Sequence, residues 1–217
     1  MDHTLKIALP KGRMSEESIE FFYNQNISSL KNVSENRQLI FNDEVKKIQY
    51  LLIRSKDVGT YVEQGAADIG VIGYDLLLEN SFDVFVPASL PFGNCRLSVA
   101  HPEKFNNWKK MKKLRVATKY PKITSKYFFE KGINIQMINL YGSIELAPLT
   151  DISDVIVDLV STGQTLKAHN LYESDVILES NAQIILNSSS YVFHKKRITN
   201  ILNKILNVSL STNAKNN

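Results

Sequence analysis

The sequence predicts an α/β protein of two domains. Two observations lead there: short apolar strand-like runs alternate with helix-length amphipathic ones, and that alternation stops near His101 and then restarts. A third concerns the carboxyl end, where one more strand and a long amphipathic helix remain to be packed. Strands separated by helices at this spacing imply parallel sheets covered by helices. At 217 residues the chain has room for one large domain or two of about 100 residues each.

The elements follow in order. "LKIALP" is a short apolar strand broken at Pro10-Lys11-Gly12-Arg13; Ser15 offers an N-cap, and Glu16 and Glu17 suit the positive end of the helix "SEESIEFFYNQN". "VKKIQYLLIR" reads as a strand ending at Arg54, and "SKDVGTYVEQG" as a helix closed by Gly65. "ADIGVIG" is a strand, "YDLLLEN" a helix, and "FDVFVPASL" and "CRLSVAHP" are strands again. The second set runs "LRVATKY" (strand), "ITSKYFFEKG" (helix), "NIQMINLY" (strand), "GSIELAPLT" (helix), "DVIVDLV" (strand), "STGQTLKAHN" (turn into helix) and "ESDVILES" (strand).

"NAQIILNSSSYVFHKKRITNILNKILNV" then gives a strand and a closing helix, with Ile198, Ile201, Leu202 and Ile205 at helical spacing. Its expected place is against the first domain. That makes the first domain discontinuous, residues 1–92 plus 181–217, around a second domain of residues 93–180, with hinge segments near 92–96 and 178–182. The tail "STNAKNN" is expected to be disordered.

Composition narrows the class. No segment approaches the roughly 18 to 20 apolar residues of a transmembrane helix, and "MDHTLKIALPKGR" lacks the apolar block of a signal peptide. Cys95 is the single cysteine, so no intrachain disulfide forms. A soluble, cytoplasmic protein is the expectation, without a membrane partner. Twenty-six basic against 22 acidic residues leave a net charge of +4. The basic runs "WKKMKKLR" and "HKKR" sit in no nucleic-acid-binding motif and read as solvated surface, so no nucleic-acid partner is expected. The four histidines, His3, His101, His169 and His194, have no metal-ligand spacing, and no Gly-x-Ser-x-Gly elbow is present.

The densest chemical signal is "DVIVDLVSTGQTL", Asp154 to Leu166. Strand alternation puts Asp154 and Asp158 on one face about 13 Å apart, too far to share a small ion, so their roles differ. Asp158 is nearer the carboxyl end of its strand, where open α/β sheets bind ligands. Beyond it, Ser161, Thr162 and Thr165 supply hydroxyls, Gly163 lets the backbone come close, and the following helix presents N–H groups, a combination suited to phosphate. A carboxylate just before such a cradle accepts hydroxyls of the sugar that carries the phosphate. A buried strand, a glycine turn and a capped helix would account for the same residues without a ligand. In "LPKGRM", Lys11 and Arg13 occupy another strand-to-helix loop; Arg37 and Arg54 add two guanidiniums, Arg54 with a structural ion pair to Asp57 or Asp68 as its alternative. "GVIGYD", Gly70 to Asp75, has glycines before a helix but not the spacing of a dinucleotide fingerprint.

Together, "LPKGRM", "DVGTYVEQGAADIGVIGYD", "PFGNCRLSVA", and "GSIELAP" followed by "DVIVDLVSTGQTL" resemble the ATP phosphoribosyltransferase family over nearly the whole chain. The resemblance implies condensation of ATP with 5-phosphoribosyl 1-pyrophosphate, with Mg2+, as the first step of histidine biosynthesis. It implies two α/β domains around a cleft, in the manner of type II periplasmic binding proteins, and the short form of the family, without a carboxyl-terminal regulatory domain. Short forms work as a hetero-octamer, homodimers within it, with a regulatory subunit related to histidyl-tRNA synthetase. Carried over by motif, Asp158 holds ribose hydroxyls and Ser161, Thr162, Gly163, Gln164 and Thr165 cradle the 5-phosphate. Lys11, Arg13, Arg37 and Arg54 serve pyrophosphate and triphosphate, and Gly73, Tyr74 and Asp75 touch the nucleotide. Two departures stand out: Asp151 replaces the usual glycine of the signature, and Tyr74 stands where a basic residue is frequent. A solute-binding protein of the same architecture and a phosphoribosyltransferase with another acceptor are the alternatives.

Overall fold

Leu5, Ile7, Ala8 and Leu9 are all wholly buried, and a strand apolar on both faces needs cover on both. The computed structural model, which describes residues 4–33 and 38–213, supplies that cover. The chain divides into two units, Met1–Gly93 with Asn181–Asn217, and Asn94–Ser180.

The first unit carries β1 (Leu5–Pro10), α1 (Arg13–Asn24), β2 (Ile40–Asp43), β3 (Ile48–Ile53), α2 (Val58–Glu63), β4 (Ile69–Gly73), α3 (Tyr74–Glu79) and β5 (Phe85–Ser89). The second carries β6 (Cys95–Pro102), β7 (Leu114–Thr118), α4 (Pro121–Glu130), β8 (Ile135–Asn139), β9 (Val155–Val160), α5 (Gln164–Ala168) and β10 (Leu171–Ser180). The chain then returns to the first unit with β11 (Ala182–Leu186), α6 (Ser188–Phe193) and α7 (Lys195–Asn213).

In the first unit the strands lie in the order β2-β3-β1-β4-β11-β5. Ile19 and Phe22 of α1 and Ile198, Ile201, Leu202 and Ile205 of α7 join Leu5, Ile7 and Leu9 in one core. Helix α2 covers the other face, where Val58 and Val62 approach Gly70 so closely that a Cβ there would collide with both. The returning segment is tied in by polar contacts as well. Asn187 caps α6 by accepting from the Ser190 amide at 2.9 Å and donates to the Val62 carbonyl at 2.9 Å. Buried Asp68 accepts from the Ser190 hydroxyl at 2.6 Å and from the Lys6 amide at 2.7 Å.

The second unit's sheet runs β10-β6-β9-β7-β8. Ala100, Ala117, Ile156, Val160, Leu166 and Leu171 form a core with Ile144 and Ala147. Elsewhere in this unit, buried Trp108 and Phe128 meet edge to face at 5.7 Å between ring centres. The chain enters this unit along β6 and leaves along β10, which pair antiparallel with Cys95 opposite Ser180.

Several local expectations need correction. Both sheets are mixed rather than parallel: β11 is antiparallel to β4 and β5, β2 to β3, and β6 to β9 and β10. A strand that reaches its sheet from a distant part of the chain is not bound by the right-handed crossover that makes sequential strands parallel. Strand β2 went unread, being short and exposed at an edge. Ser15 is not the N-cap. Gly12, at φ 94°, takes that position, so α1 begins at Arg13 and the Ser15 hydroxyl turns back to the Gly12 carbonyl at 2.6 Å. The helix expected in "GSIELAPLT" is a single 3₁₀ turn, Ile144–Leu146, because Pro148 has no N–H with which to continue it. Helix α7 runs through Asn213, into the tail expected to be disordered; residues 214–217 lie outside the described ones.

Ile184 of β11 is wholly buried in the first unit's core. Ile184→Ala is expected to lower unfolding free energy by about 2–5 kcal/mol, measured by urea denaturation, with the midpoint falling and the slope unchanged.

Candidate active site

Strand β9 is flanked by β6 and β7, and its residues Val155, Ile156 and Val157 are buried. The two carboxylates at its ends have separate fates. Asp154 is 4 % exposed and belongs to the fold: Oδ1 receives Arg115 Nη2 at 2.7 Å and Oδ2 the Arg115 amide at 2.8 Å. That pairing, chiefly the hydrogen bond to Asp154, holds the Arg115 guanidinium above its ordinary pKa. Asp158 lies at the other end, its side chain 21 % exposed. Oδ1 accepts the Leu159 amide at 2.8 Å and the Lys119 ammonium at 2.9 Å. Parallel pairing of β7 with β9 sets Thr118 opposite Val157, so Lys119 and Asp158 occupy the next rung and emerge side by side.

After Val160 the chain turns at Ser161, Thr162 and Gly163, whose φ of 76° suits glycine, into α5. The side chains of Ser161, Thr162, Gln164 and Thr165 are exposed, and the Gln164 amide donates to Thr162 Oγ1 at 3.4 Å. Helix α5 has only five residues, so the dipole expected to draw an anion is that of little more than one turn. Hydroxyls and backbone N–H groups must carry the attraction instead.

The loop is braced from β6 and β10. Arg96 grips Glu173 through Nε and through Nη2 at 2.6 Å, and its Nη1 donates to the Ser161 carbonyl at 3.3 Å. Ser98 Oγ adds a hydrogen bond to Glu173 at 2.8 Å. The Arg96 hydrogen bond, opposed by partial burial and aided by Ser98, holds the Glu173 carboxyl below its ordinary pKa. Beside this brace lies an open hollow of about 500 Å³ lined by Arg96, Thr162, Gly163, Lys167 and Tyr172 among others.

The first unit gathers the remaining candidates. Pro10 pairs with Ile53 and Ala8 with Gly70, so Lys11 and Arg54 just beyond their strands and Gly73 at the end of its own mark the carboxyl ends of three adjacent parallel strands. Lys11 and Arg54 are exposed, and the Lys11 amide donates to the Ile53 carbonyl at 2.8 Å. Asp68, one suggested structural partner for Arg54, is instead occupied by Ser190 and Lys6. Arg13 faces Glu17 one turn along α1, Nε to Oε1 3.4 Å, with its side chain 64 % exposed. At the start of α3, Tyr74 is exposed and Asp75 buried, and a Cβ on Gly73 would run into the Asp75 carboxylate. Arg37 lies outside the described residues.

Sequence reading passed over Lys119, Arg96, Glu173 and Arg115. Arg115 and Lys119 flank the apolar centre of "LRVATKY", and they come opposite both acids of "DVIVDLV" only through the register in which the two strands pair. In the basic run around it, Lys109 is bound to Asp175 at 2.6 Å, Trp108 is buried, and Lys110, Lys112 and Lys113 are exposed. In the other run, Arg197 donates to the Lys46 and Lys47 carbonyls, at 2.5 and 2.7 Å. Among the described residues no three His, Cys, Asp or Glu side chains converge as a metal site. No described helix is long and apolar enough to cross a membrane.

A family model described as ATP phosphoribosyltransferase matches residues 54–207. The ATP phosphoribosyltransferase of Leptospira biflexa is 49 % identical over 193 residues, 88 % of this chain and 93 % of that one. The chain belongs to the ATP phosphoribosyltransferase family. Its counterpart from Citrifermentans bemidjiense is 43 % identical over 208 residues, 93 % of this chain and 97 % of that one. A chain of the ATP phosphoribosyl transferase (HisG:HisZ) complex from Thermotoga maritima superposes with a TM-score of 0.78 at 34 % identity, covering 94 % of this chain and 98 % of its own. The periplasmic aliphatic sulphonate binding protein SsuA of Escherichia coli shares the fold alone, with a TM-score of 0.64 at 13 % identity over 100 % of this chain and 76 % of that one.

In this ATP phosphoribosyltransferase, Asp151 stands where the backbone conformation suits glycine. Asp151 has a φ of 57°, in the left-handed region, and is held there by Lys104 at 2.7 Å and by Arg115 Nη1 on its carbonyl at 2.6 Å. Asp151→Gly is expected to leave the melting temperature unchanged or raised, and Asp151→Ala to lower it by a few degrees, since alanine meets the same strain without the Lys104 contact. A second test is pH. Because the folded-state pKa of Glu173 is depressed, its contribution is full above the usual glutamate range near ~4.3 and is lost as pH falls through the lower folded value. Melting curves from pH 7 to 3 should therefore fall less steeply for Glu173→Gln than for the unaltered chain.

Proposed function

We propose that the protein transfers the 5-phosphoribosyl group of 5-phosphoribosyl 1-pyrophosphate to N1 of ATP, giving N1-(5-phosphoribosyl)-ATP and pyrophosphate. This is the first step of histidine biosynthesis, the activity by which its relatives are named. The observation that carries the reading is the juxtaposition, toward the carboxyl end of β9, of partly exposed Asp158 with the Ser161–Thr165 loop.

In this reading Asp158 accepts the ribose hydroxyls and the loop takes the 5-phosphate through hydroxyls and backbone N–H groups. The N1–C1 bond forms as the C1–O bond breaks; its electron pair leaves on pyrophosphate, and positive charge passes to the adenine ring. Negative charge grows on the leaving group while the anomeric carbon becomes cation-like, so fixed cations lower the barrier. Lys11, Arg13, Arg37 and Arg54 serve the polyphosphates, and Gly73, Tyr74 and Asp75 the nucleotide. No covalent enzyme intermediate is required.

Magnesium fits this chain as a passenger of the substrates rather than a resident ion. The described residues offer no cluster of three ligating side chains, whereas Mg2+ keeps several waters and takes oxygens from phosphates. The protein acts in the cytoplasm, as homodimers within a hetero-octamer that includes a histidyl-tRNA-synthetase-like regulatory subunit. The Thermotoga maritima HisG:HisZ complex supports a second subunit of this kind.

The test is turnover. Purified protein with that partner, ATP, the ribosyl donor and magnesium should yield the N1-substituted product, followed by its ultraviolet absorbance; binding without turnover would favour a solute-binding role. Asp158→Asn should cut kcat/KM for the donor by roughly 10- to 100-fold, the worth of one or two charged hydrogen bonds, with an unaltered melting curve.

A further inference from the structure

We propose that Lys119 is a substrate-contacting residue that takes the leaving pyrophosphate, and that the donor therefore lies across the strand ends with its 5-phosphate toward β6 and β10 and its pyrophosphate toward β7. This rests on the functional reading above, in which Asp158 holds the ribose.

Helix α5 packs against β10, Leu166 and Leu171 sharing one core, so the chain leaving β9 turns toward the β6 and β10 side of the sheet. The Ser161 carbonyl is tied to Arg96 of β6 on that same side. Lys119 follows β7, the strand that flanks β9 on its opposite edge. Asp158 therefore stands between the loop and an ammonium. A pentose held at Asp158 with its 5-phosphate in the loop must point its other end away from the loop.

Chemistry supplies the second step. The hydroxyl on C2 is adjacent to C1, which carries the pyrophosphate. Lys119 Nζ lies 2.9 Å from Asp158 Oδ1, and a hydroxyl bound to that carboxylate lies within about 2.7 Å of it. A swing of the Lys119 stem would thus bring its ammonium to the oxygen that departs with the electron pair. The 2.9 Å contact with Lys119 and the 2.8 Å contact with the Leu159 amide are both made by Oδ1, and a carboxylate has about four acceptor sites, so it can meet a hydroxyl without first losing the lysine. The Lys119 side chain is 28 % exposed and its ammonium stands 5.6 Å from the Tyr120 ring centre, so its flexible stem can swing toward a phosphate. Lysine acts here as a mobile point charge that neutralises Asp158 in the free enzyme and follows charge as it develops on the leaving group.

Two ligands separate this role from a purely structural one. Ribose 5-phosphate has the hydroxyls and the 5-phosphate but no pyrophosphate. In equilibrium binding to Lys119→Met, affinity for 5-phosphoribosyl 1-pyrophosphate should fall roughly 10- to 100-fold, the range for a charged contact, while ribose 5-phosphate stays within about twofold; Lys119→Arg should restore part of the loss. Pyrophosphate, as product inhibitor of the forward reaction, should weaken in parallel with the donor. An equal loss for both sugars would mean that Lys119 acts only by holding Asp158, and no loss for the donor would mean no contact; either overturns the proposal. Failure of the unaltered protein to bind either sugar phosphate would overturn the functional reading along with it. A melting curve on Lys119→Met distinguishes misfolding, and in that event the Arg variant decides, since its donor affinity must follow the same split.

Discussion

Strand β9 is hydrogen-bonded on both sides, antiparallel to β6 and parallel to β7, and the rest of the second unit follows from that pairing. A strand held along both edges cannot shift register without breaking two ladders, and a shift of one residue would exchange its faces. Val155 to Val157 are accordingly buried, and Asp158 emerges only where the ladder with β7 ends. The chain must then leave the sheet, which it does through Gly163 in the left-handed region. The Ser161–Thr165 loop and the Asp158 carboxylate are thus placed by a buried apolar strand, and Arg96 and Lys119 then brace them from the neighbouring strands.

The two acids of this strand show how burial divides labour between like residues. Asp154 lies deep enough that an unpaired carboxylate would be costly, and Arg115 supplies both guanidinium and amide hydrogen bonds. Asp158 keeps a fifth of its side chain open and is partnered by a lysine whose own end is partly exposed. The first arrangement is fully consumed by the fold. The second can be rearranged by an incoming polyanion at small cost, because a lysine on a four-carbon stem exchanges partners readily.

The discontinuous first unit has a related logic. Strand β11 lies between β4 and β5, so the six-stranded sheet is complete only after residues 94–180 have been made. Asp68, Asn187 and Ser190 then stitch the returning strand and its helices to β1 and α2. Each unit presents chemistry at the carboxyl ends of parallel strands: Lys11, Arg54 and Gly73 in one, Lys119 and Asp158 in the other. This is the edge where strands stop pairing and loops are free to differ, which is how one architecture serves both transferases and solute-binding proteins.

Much of this was legible in one dimension because it depends on local periodicity. Apolar runs such as "LKIALP" and "DVIVDLV" could be only buried strands, the α/β class followed from their alternation with helices, and the Asp158–Thr165 block carried its own chemistry in residue type and spacing. Partners across strands were not legible, since parallel register is a long-range choice: nothing near Asp154 or Asp158 names Arg115 or Lys119, and nothing near Ser161 names Arg96 and Glu173. Strand direction was misjudged for β6, β10 and β11, because which strands become neighbours depends on where the chain returns. Residue order thus decided which groups stand at strand ends. Packing of distant segments decided which charge each of them meets, because Coulomb and hydrogen-bond energies depend on separation in space and not along the chain.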